Sequence, residues 1–259
     1  MRVDLHNHTS LCNHAEGTME EYVLKAIEKN IDVFGFSCHN PMEFDKEYRM
    51  QKNQIDGYLQ EIKRLQEKYK DKITLKAALE IDYLPKYLDK SLFDLDLDYT
   101  IGAVHFLDNW GFDNPEFIKE YAKRDINVCW EQYFEATIAL AKSGLFDIVA
   151  HMDLLKVFNH RPTKDLRSLC EKTLKEIKKA NMVVEINASG FRKEVKEQYP
   201  SLEILQMCYE LDIPITFSSD AHSISHIGFK RQELEELAKS IGFSKCATFT
   251  KRDRELVSF

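Results

Sequence analysis

Short apolar runs alternate along this chain with longer stretches in which apolar positions recur every three or four residues. Seven runs have strand character: residues 2–5, 32–37, 73–79, 99–104, 147–150, 182–186 and 213–218. Each is short, apolar and β-branched enough to suit a buried strand. Helical periodicity predicts elements over residues 19–29, 54–69, 114–142, 163–180, 201–211 and 226–240. Thr18 with Glu21 gives the first of these a capping-box start, and Asn114-Pro115 and Gly144 bracket the third. Strand and helix taking turns in this way predict an α/β fold, a parallel sheet covered by helices. No linker, low-complexity tract or block of like charge interrupts the order, so residues 1–259 read as one domain. Seven strands suit an open doubly wound sheet or a closed barrel, and periodicity alone does not choose between them.

Composition narrows the classes. Apolar residues make up 44% and charged residues 31% of 259, with 9 Gly and 6 Pro, which suits a sizeable core and excludes collagenous or disordered chains. The formal net charge of −7 argues against nucleic acid and anionic membrane as partners. Met1 to Asp4 leaves no room for a signal peptide, and no apolar run approaches the roughly 20 residues of a membrane span. The expected compartment is therefore the cytoplasm. Six cysteines form no Cys-x-x-Cys pair and are expected to be reduced thiols, though Cys12 and Cys38 stand beside candidate metal ligands and could be sensitive to oxidation. Oligomeric state is not readable from the sequence.

The nine histidines change the picture because of where they fall. His6 and His8 close the first predicted strand, His39 follows the second, Glu80 the third, His105 the fourth and His151 the fifth, while Asp220 and His222 follow the seventh. In a barrel all strand C-termini meet at one face, so residues distant in sequence would share a centre; an open sheet would spread them along a line. The placement therefore favours closure. His6 with His8, and Asp220 with His222, are spaced by two and would project from one side of an extended strand, each as a chelating pair. His14, in the loop after the first strand, offers a further imidazole, and Glu80 a carboxylate able to bridge ions. Seven imidazoles and two carboxylates exceed what one ion takes and imply two ions, more readily three. His160 and His226 fall outside this register and read as structural or solvated.

Three divalent ions with two carboxylates would leave about +4 at the site, a local attraction for an anion inside an acidic protein. A phosphate ester fits. Paired ions lower the pKa of water between them, bind phosphoryl oxygens and stabilise a leaving alkoxide.

The segments Asp4-Leu5-His6-Asn7-His8-Thr9, His39-Asn40-Pro41-Met42, Leu79-Glu80-Ile81-Asp82-Tyr83, Gly102-Ala103-Val104-His105-Phe106 and Ser219-Asp220-Ala221-His222-Ser223 resemble the polymerase and histidinol phosphatase (PHP) superfamily. The residues Asn109-Trp110-Gly111-Phe112-Asp113, Ser189-Gly190-Phe191-Arg192-Lys193 and Tyr199-Pro200-Ser201 resemble its histidinol-phosphatase family in particular. The resemblance runs essentially end to end and all nine ligand positions are filled. It implies a distorted (β/α)7 TIM-like barrel with three divalent ions, of Zn, Mn or Fe. One ion would take His6, His8, Glu80 and Asp220, a second Glu80, His105 and His151, and a third His14, His39 and His222. It also implies that Arg161 and Arg192 bind phosphate, that Asp220 orients or deprotonates the attacking water, and that His222 or a water protonates the leaving group. Glu43, with Pro41-Met42, would shape the substrate pocket. Cys38 stands where many relatives carry Asp, which would alter the surroundings of the ligand histidines. The activity so implied is hydrolysis of L-histidinol phosphate in histidine biosynthesis. A phosphoesterase of the same superfamily acting on nucleotides or another small ester is the alternative, and a phosphate-binding module without turnover is an alternative of another class.

Overall fold

In the computed structural model, which describes all of residues 1–259, the strands in chain order are β1 (Val3–Asp4), β2 (Val33–Phe36), β3 (Thr74–Asp82), β4 (Tyr99–Ala103), β5 (Phe106–Leu107), β6 (Trp110–Gly111), β7 (Ile148–Val149), β8 (Val183–Asn187), β9 (Ile215–Ser218), β10 (Lys245–Thr250) and β11 (Asp253–Ser258). Strands β1, β2, β3, β4, β7, β8 and β9 pair in that order, every neighbour parallel. The sheet curls until its edges meet: Leu5 N–H donates to Phe217 O at 3.1 Å, and His8 N–H donates to Ala221 O at 2.9 Å. The result is a nearly closed barrel. All but the first residue of β3 are buried, as expected of a strand covered on both faces.

The covering helices are α1 (Met19–Glu28), α2 (Ile55–Tyr69), α3 (Ile126–Ser143), α4 (Leu166–Lys179), α5 (Leu202–Glu210) and α6 (Arg231–Ile241). The capping box read from Thr18 and Glu21 is formed, with Thr18 N–H donating to Glu21 Oε2 at 2.7 Å. Helix α2 shows how the pattern becomes packing: Ile55, Tyr58, Ile62, Leu65 and Tyr69 recur at helical spacing, and all are buried. Each side chain of this size contributes about 1.5–3 kcal/mol when it leaves water. Between β3 and β4 there is no α-helix, only a 3-10 segment over Lys90–Asp94, which is one source of the barrel's irregularity.

Two expectations need correction, and one feature was not foreseen. The helix expected over 114–142 is two elements: a 3-10 segment, Pro115–Lys123, and then α3, separated because Asp125 turns extended and caps α3 by accepting from the Asn127 and Val128 N–H groups. The helix expected from residue 226 begins at Arg231, because Gly228 (φ 66) and Lys230 (φ 55) take the left-handed conformation before it. The C-terminal hairpin β10–β11 was not anticipated. Its turn places Lys251 (φ 52) and Arg252 (φ 70) in the left-handed region without the Asn or Gly that usually announces such a turn.

That hairpin lies across the N-terminal end of the barrel. Lys251 and Arg252 donate their backbone N–H groups to Asp98, Thr216 Oγ1 donates to Ala247 O at 2.9 Å, and Phe249 packs against Tyr99 with ring centroids 5.6 Å apart. Tyr99 runs through the barrel interior and donates its hydroxyl to Leu5 O. It fits because residue 35 is glycine, where a Cβ would stand 1.7 Å from the Tyr99 oxygen. No helix is long and apolar enough to cross a membrane, and all six cysteines are free and buried.

Candidate metal centre

At the other end of the barrel the sheet frays into side chains. Strands β1 and β7 stop after two residues, and the chain continues through His6 and His8 and through His151, whose rings turn into one polar cluster. Glu80 stands at its middle, 1% exposed. One of its oxygens, Oε2, lies 2.9 Å from His39 Nδ1, 3.3 Å from His6 Nε2 and 3.6 Å from His8 Nε2; the other, Oε1, lies 2.9 Å from His151 Nε2 and 3.6 Å from His105 Nε2. Asp220 Oδ1 approaches His8 Nε2 at 3.2 Å and His222 Nδ1 at 3.4 Å. The His14 ring stands 4.6 Å from that of His222 and 5.3 Å from that of His39. All nine expected residues therefore share one cluster, with Glu80 between its halves.

The donor atoms fall into nests whose members lie within 4.8 Å of one another: His6, His8 and Glu80; Glu80, His105 and His151; and His8, His39 and His222. The third differs from the grouping the family resemblance implies, because His14 associates with Cys12 and His222 while His8 takes its place. Metal ions suit the chemistry of this donor set. His6 Nε2 faces His8 Nε2 at 3.0 Å, and His105 Nε2 faces His151 Nε2 at 3.2 Å. With the Nδ1 protons of His6 and His105 given to carboxylates, their Nε2 atoms aim lone pairs at the facing rings, where a proton or a cation between the two nitrogens is needed. Buried Glu80 Oε2 also lacks a hydrogen-bond donor.

Behind the cluster a second layer of side chains fixes the rings. His6 Nδ1 meets Glu185 Oε1 at 2.7 Å, and the other Glu185 oxygen accepts the His151 backbone N–H at 2.6 Å. His105 Nδ1 meets Asp82 Oδ1 at 2.8 Å, and Asp82 is held in turn by buried Arg49 at 2.7 Å. Such partners settle which ring nitrogen is left for a metal. Glu185, Asp82 and Arg49 were not singled out in the sequence. Asp82 carried a usable signal, since it follows Glu80 by two on a strand and so shares its side. Glu185 carried another, as a charge inside the apolar run 182–186. Arg49, in a loop, carried none.

Burial and charge compete at each group. For Glu80 burial favours the neutral acid, but His6, His39 and His105 outweigh it and hold the carboxyl well below its usual range. Burial opposes the charged form of His105 too, yet Asp82 and Glu80 raise it to about 10. His39 goes the other way, down to about 3, because burial outweighs the attraction of Glu80. Without cations the cluster thus keeps its carboxylates ionised and stores protons on selected rings.

The cluster floors a cavity of about 670 Å³. Arg192 lines it, donating from Nη2 to the Ser219 and Asp220 carbonyls at 2.9 and 2.8 Å and leaving buried Nη1 without an acceptor. Lys193 and His226 line the same side, so His226 is a cavity residue and not simply a structural or solvated one. His160 stays apart, stacked on Tyr121 with centroids 4.0 Å apart. Asp45, Asp113 and Glu116, with Tyr48, Phe106 and Phe117, supply an acidic and aromatic lining. Two expected substrate contacts are not brought there. Arg161 is half-exposed and pairs with Glu197 at 2.6 Å, and Glu43 is 83% exposed and pairs with Lys46. Both side chains pair with surface partners and are not among the residues that line the cavity.

Comparison with known proteins agrees with this geometry. Residues 4–189 match the PHP domain family. The chain is 35% identical over 254 residues to a Deinococcus radiodurans protein named "Probable histidinol-phosphatase", covering 96% of each. It is 27% identical to the histidinol-phosphatase of Bacillus subtilis, covering 87% of this chain and 95% of that one. Among solved structures it superposes with TM-score 0.78 and 21% identity, over 98% of both chains, on histidinol phosphate phosphatase from Lactococcus lactis complexed with Zn, L-histidinol and phosphate.

Proposed function

This chain belongs to the PHP domain family, and from that premise we propose that it is a histidinol-phosphatase, a metal-dependent monoesterase that hydrolyses L-histidinol phosphate to L-histidinol and phosphate in histidine biosynthesis. The observation that carries this reading is the convergence of seven imidazoles and two carboxylates on the floor of a cavity that also presents the free Nη1 of Arg192. We assign the chain as one functional unit, since Asp220 and His222, beyond the matched residues 4–189, complete the cluster. Its expected compartment is the cytoplasm.

By this reading three divalent ions would be held by His6, His8, His14, His39, Glu80, His105, His151, Asp220 and His222, with Glu80 standing between the halves of the cluster. Zinc, named with the Lactococcus protein, suits imidazole and carboxylate donors, as Mn and Fe also do. Bound there, the ions supply Lewis acidity toward the phosphoryl oxygens and lower the pKa of water. The protein does the rest by placement. Arg192, anchored through Nη2 on two carbonyls, offers Nη1 to a phosphoryl oxygen whose charge grows in the transition state. Asp220, whose Oδ2 accepts from Asn187 Nδ2 at 3.2 Å, orients the attacking water and takes its proton. His222, stacked on His8 with centroids 3.9 Å apart, serves the metal cluster.

The acidic and aromatic lining supports histidinol phosphate over nucleotides. Asp45, Asp113 and Glu116 suit a substrate whose far end carries an ammonium group and an imidazole, positive charge that the uncharged base and ribose of a nucleoside monophosphate do not offer. Phosphate release from histidinol phosphate and from nucleoside monophosphates tests the reading: preference for the nucleotides overturns the substrate, and no release from any monoester by metal-replete protein overturns the activity.

A further inference from the structure

His8 differs from His6, His105 and His14 in what stands behind it. The nitrogen of His6 that faces away from the cluster meets Glu185, and that of His105 meets Asp82; His14 Nδ1 meets the Cys12 carbonyl at 2.8 Å. His8 is 1% exposed, its Nε2 is turned toward His6 and Asp220, and its Nδ1 is buried with no hydrogen-bond partner. The Cys12 and Cys38 sulfurs lie within 4.8 Å of a ring nitrogen of His8 and of each other. Since Nε2 faces the cluster, that nitrogen is Nδ1.

We propose that Cys38 is a positioning residue for His8: its sulfur takes the Nδ1 proton side of the ring, in the place where Glu185 and Asp82 serve His6 and His105. The sulfur is itself held in place. The Thr9 hydroxyl donates to it at 3.2 Å, and the Cys38 backbone N–H donates to Tyr58 Oη at 3.3 Å, so the thiol has one orientation to offer. Both thiols donate to the Thr9 carbonyl, Cys12 Sγ at 3.1 Å and Cys38 Sγ at 3.7 Å, but only the Cys38 sulfur accepts from the Thr9 hydroxyl. Sulfur is a weaker and longer-reaching acceptor than a carboxylate oxygen, so His8 is aimed by contact and lightly polarised. The inference rests on the metal-centre reading of this cluster and not on the identity of the substrate.

The test is metal affinity of purified full-length protein, measured by competition with a chelator for Zn²⁺. Cys38→Val, which keeps the volume but removes the acceptor, is expected to weaken the tightest site about 10–100-fold, the usual cost of losing such a partner. Cys38→Asp is expected to restore it, and Cys12→Val to leave it at the wild-type value. Wild-type affinity in Cys38→Val, equal losses in both valine variants, or failure of Cys38→Asp to restore binding would each overturn the proposal. Should Cys38→Val not fold, Cys38→Ala gives the same readout. A protein showing the expected pattern but inert toward histidinol phosphate would overturn the proposed substrate and leave this inference standing.

Discussion

The two ends of the barrel are built on opposite rules. At the N-terminal end β10 and β11 close over Tyr99, Phe249 and Ala247, and the backbone groups of the turn find partners: Asp98 accepts from two N–H groups, and the Tyr99 hydroxyl reaches Leu5 O, although Thr248 Oγ1 on β10 is buried without one. At the C-terminal end Glu80, His8, His39 and His151 are buried with atoms that no hydrogen bond satisfies. One end is closed by apolar packing and backbone hydrogen bonds; the other gathers imidazoles and carboxylates whose unmet demands suit a cation. The same seven strands support both because their ladders fix the backbone and leave the strand ends free to specialise.

The widest separation of the two ends comes from Glu80→Ala. Activity is expected to fall to background and metal per chain to drop, measured by phosphate release and elemental analysis, while the apo protein keeps its fold. On the opposite floor Phe249→Ala is expected to cost about 3–5 kcal/mol of stability, seen as a lower thermal midpoint, with metal stoichiometry unchanged. An effect of either variant at both ends would break the comparison. Arg192→Ala sharpens it within the mouth, where loss of one charge-assisted contact should lower kcat/KM about 10–100-fold without releasing metal. Metal loading should depend on pH. Asp82 and Glu80 hold His105 near 10, above its ordinary 6.5, so an ion must displace a proton there; affinity is expected to fall steadily as pH drops below about 10, with protons released on binding, read by calorimetry in buffers of different ionisation enthalpy. The smallest effect is expected from Arg161→Ala and Glu43→Ala, whose side chains pair on the surface; unchanged kinetics would keep them out of the mouth.

Much of the mouth was legible in the sequence because strand ends announce themselves. His6 and His8 interrupt an apolar run at spacing two, as do Asp220 and His222, and their common destination follows once the sheet closes. The supporting layer was harder to see. Glu185 reads as an oddity in an apolar strand until His6 is seen opposite it, and Arg49 gains meaning only from Asp82, which lies far off in sequence. Arg161 marks a limit of such reading, because an arginine after a strand can reach inward or outward, and here it pairs with Glu197. The floor was missed because its turn, Lys251-Arg252, carries a conformation that those residue types do not advertise.

The closed floor also sets the traffic of the reaction. With Tyr99 threaded above Gly35 and the hairpin laid beneath, the barrel has no rear exit, and everything that enters by the mouth leaves by it. On the proposed role of Arg192, product phosphate would occupy the position that the next ester needs. Inorganic phosphate is therefore expected to inhibit competitively, and turnover to be paced by its departure.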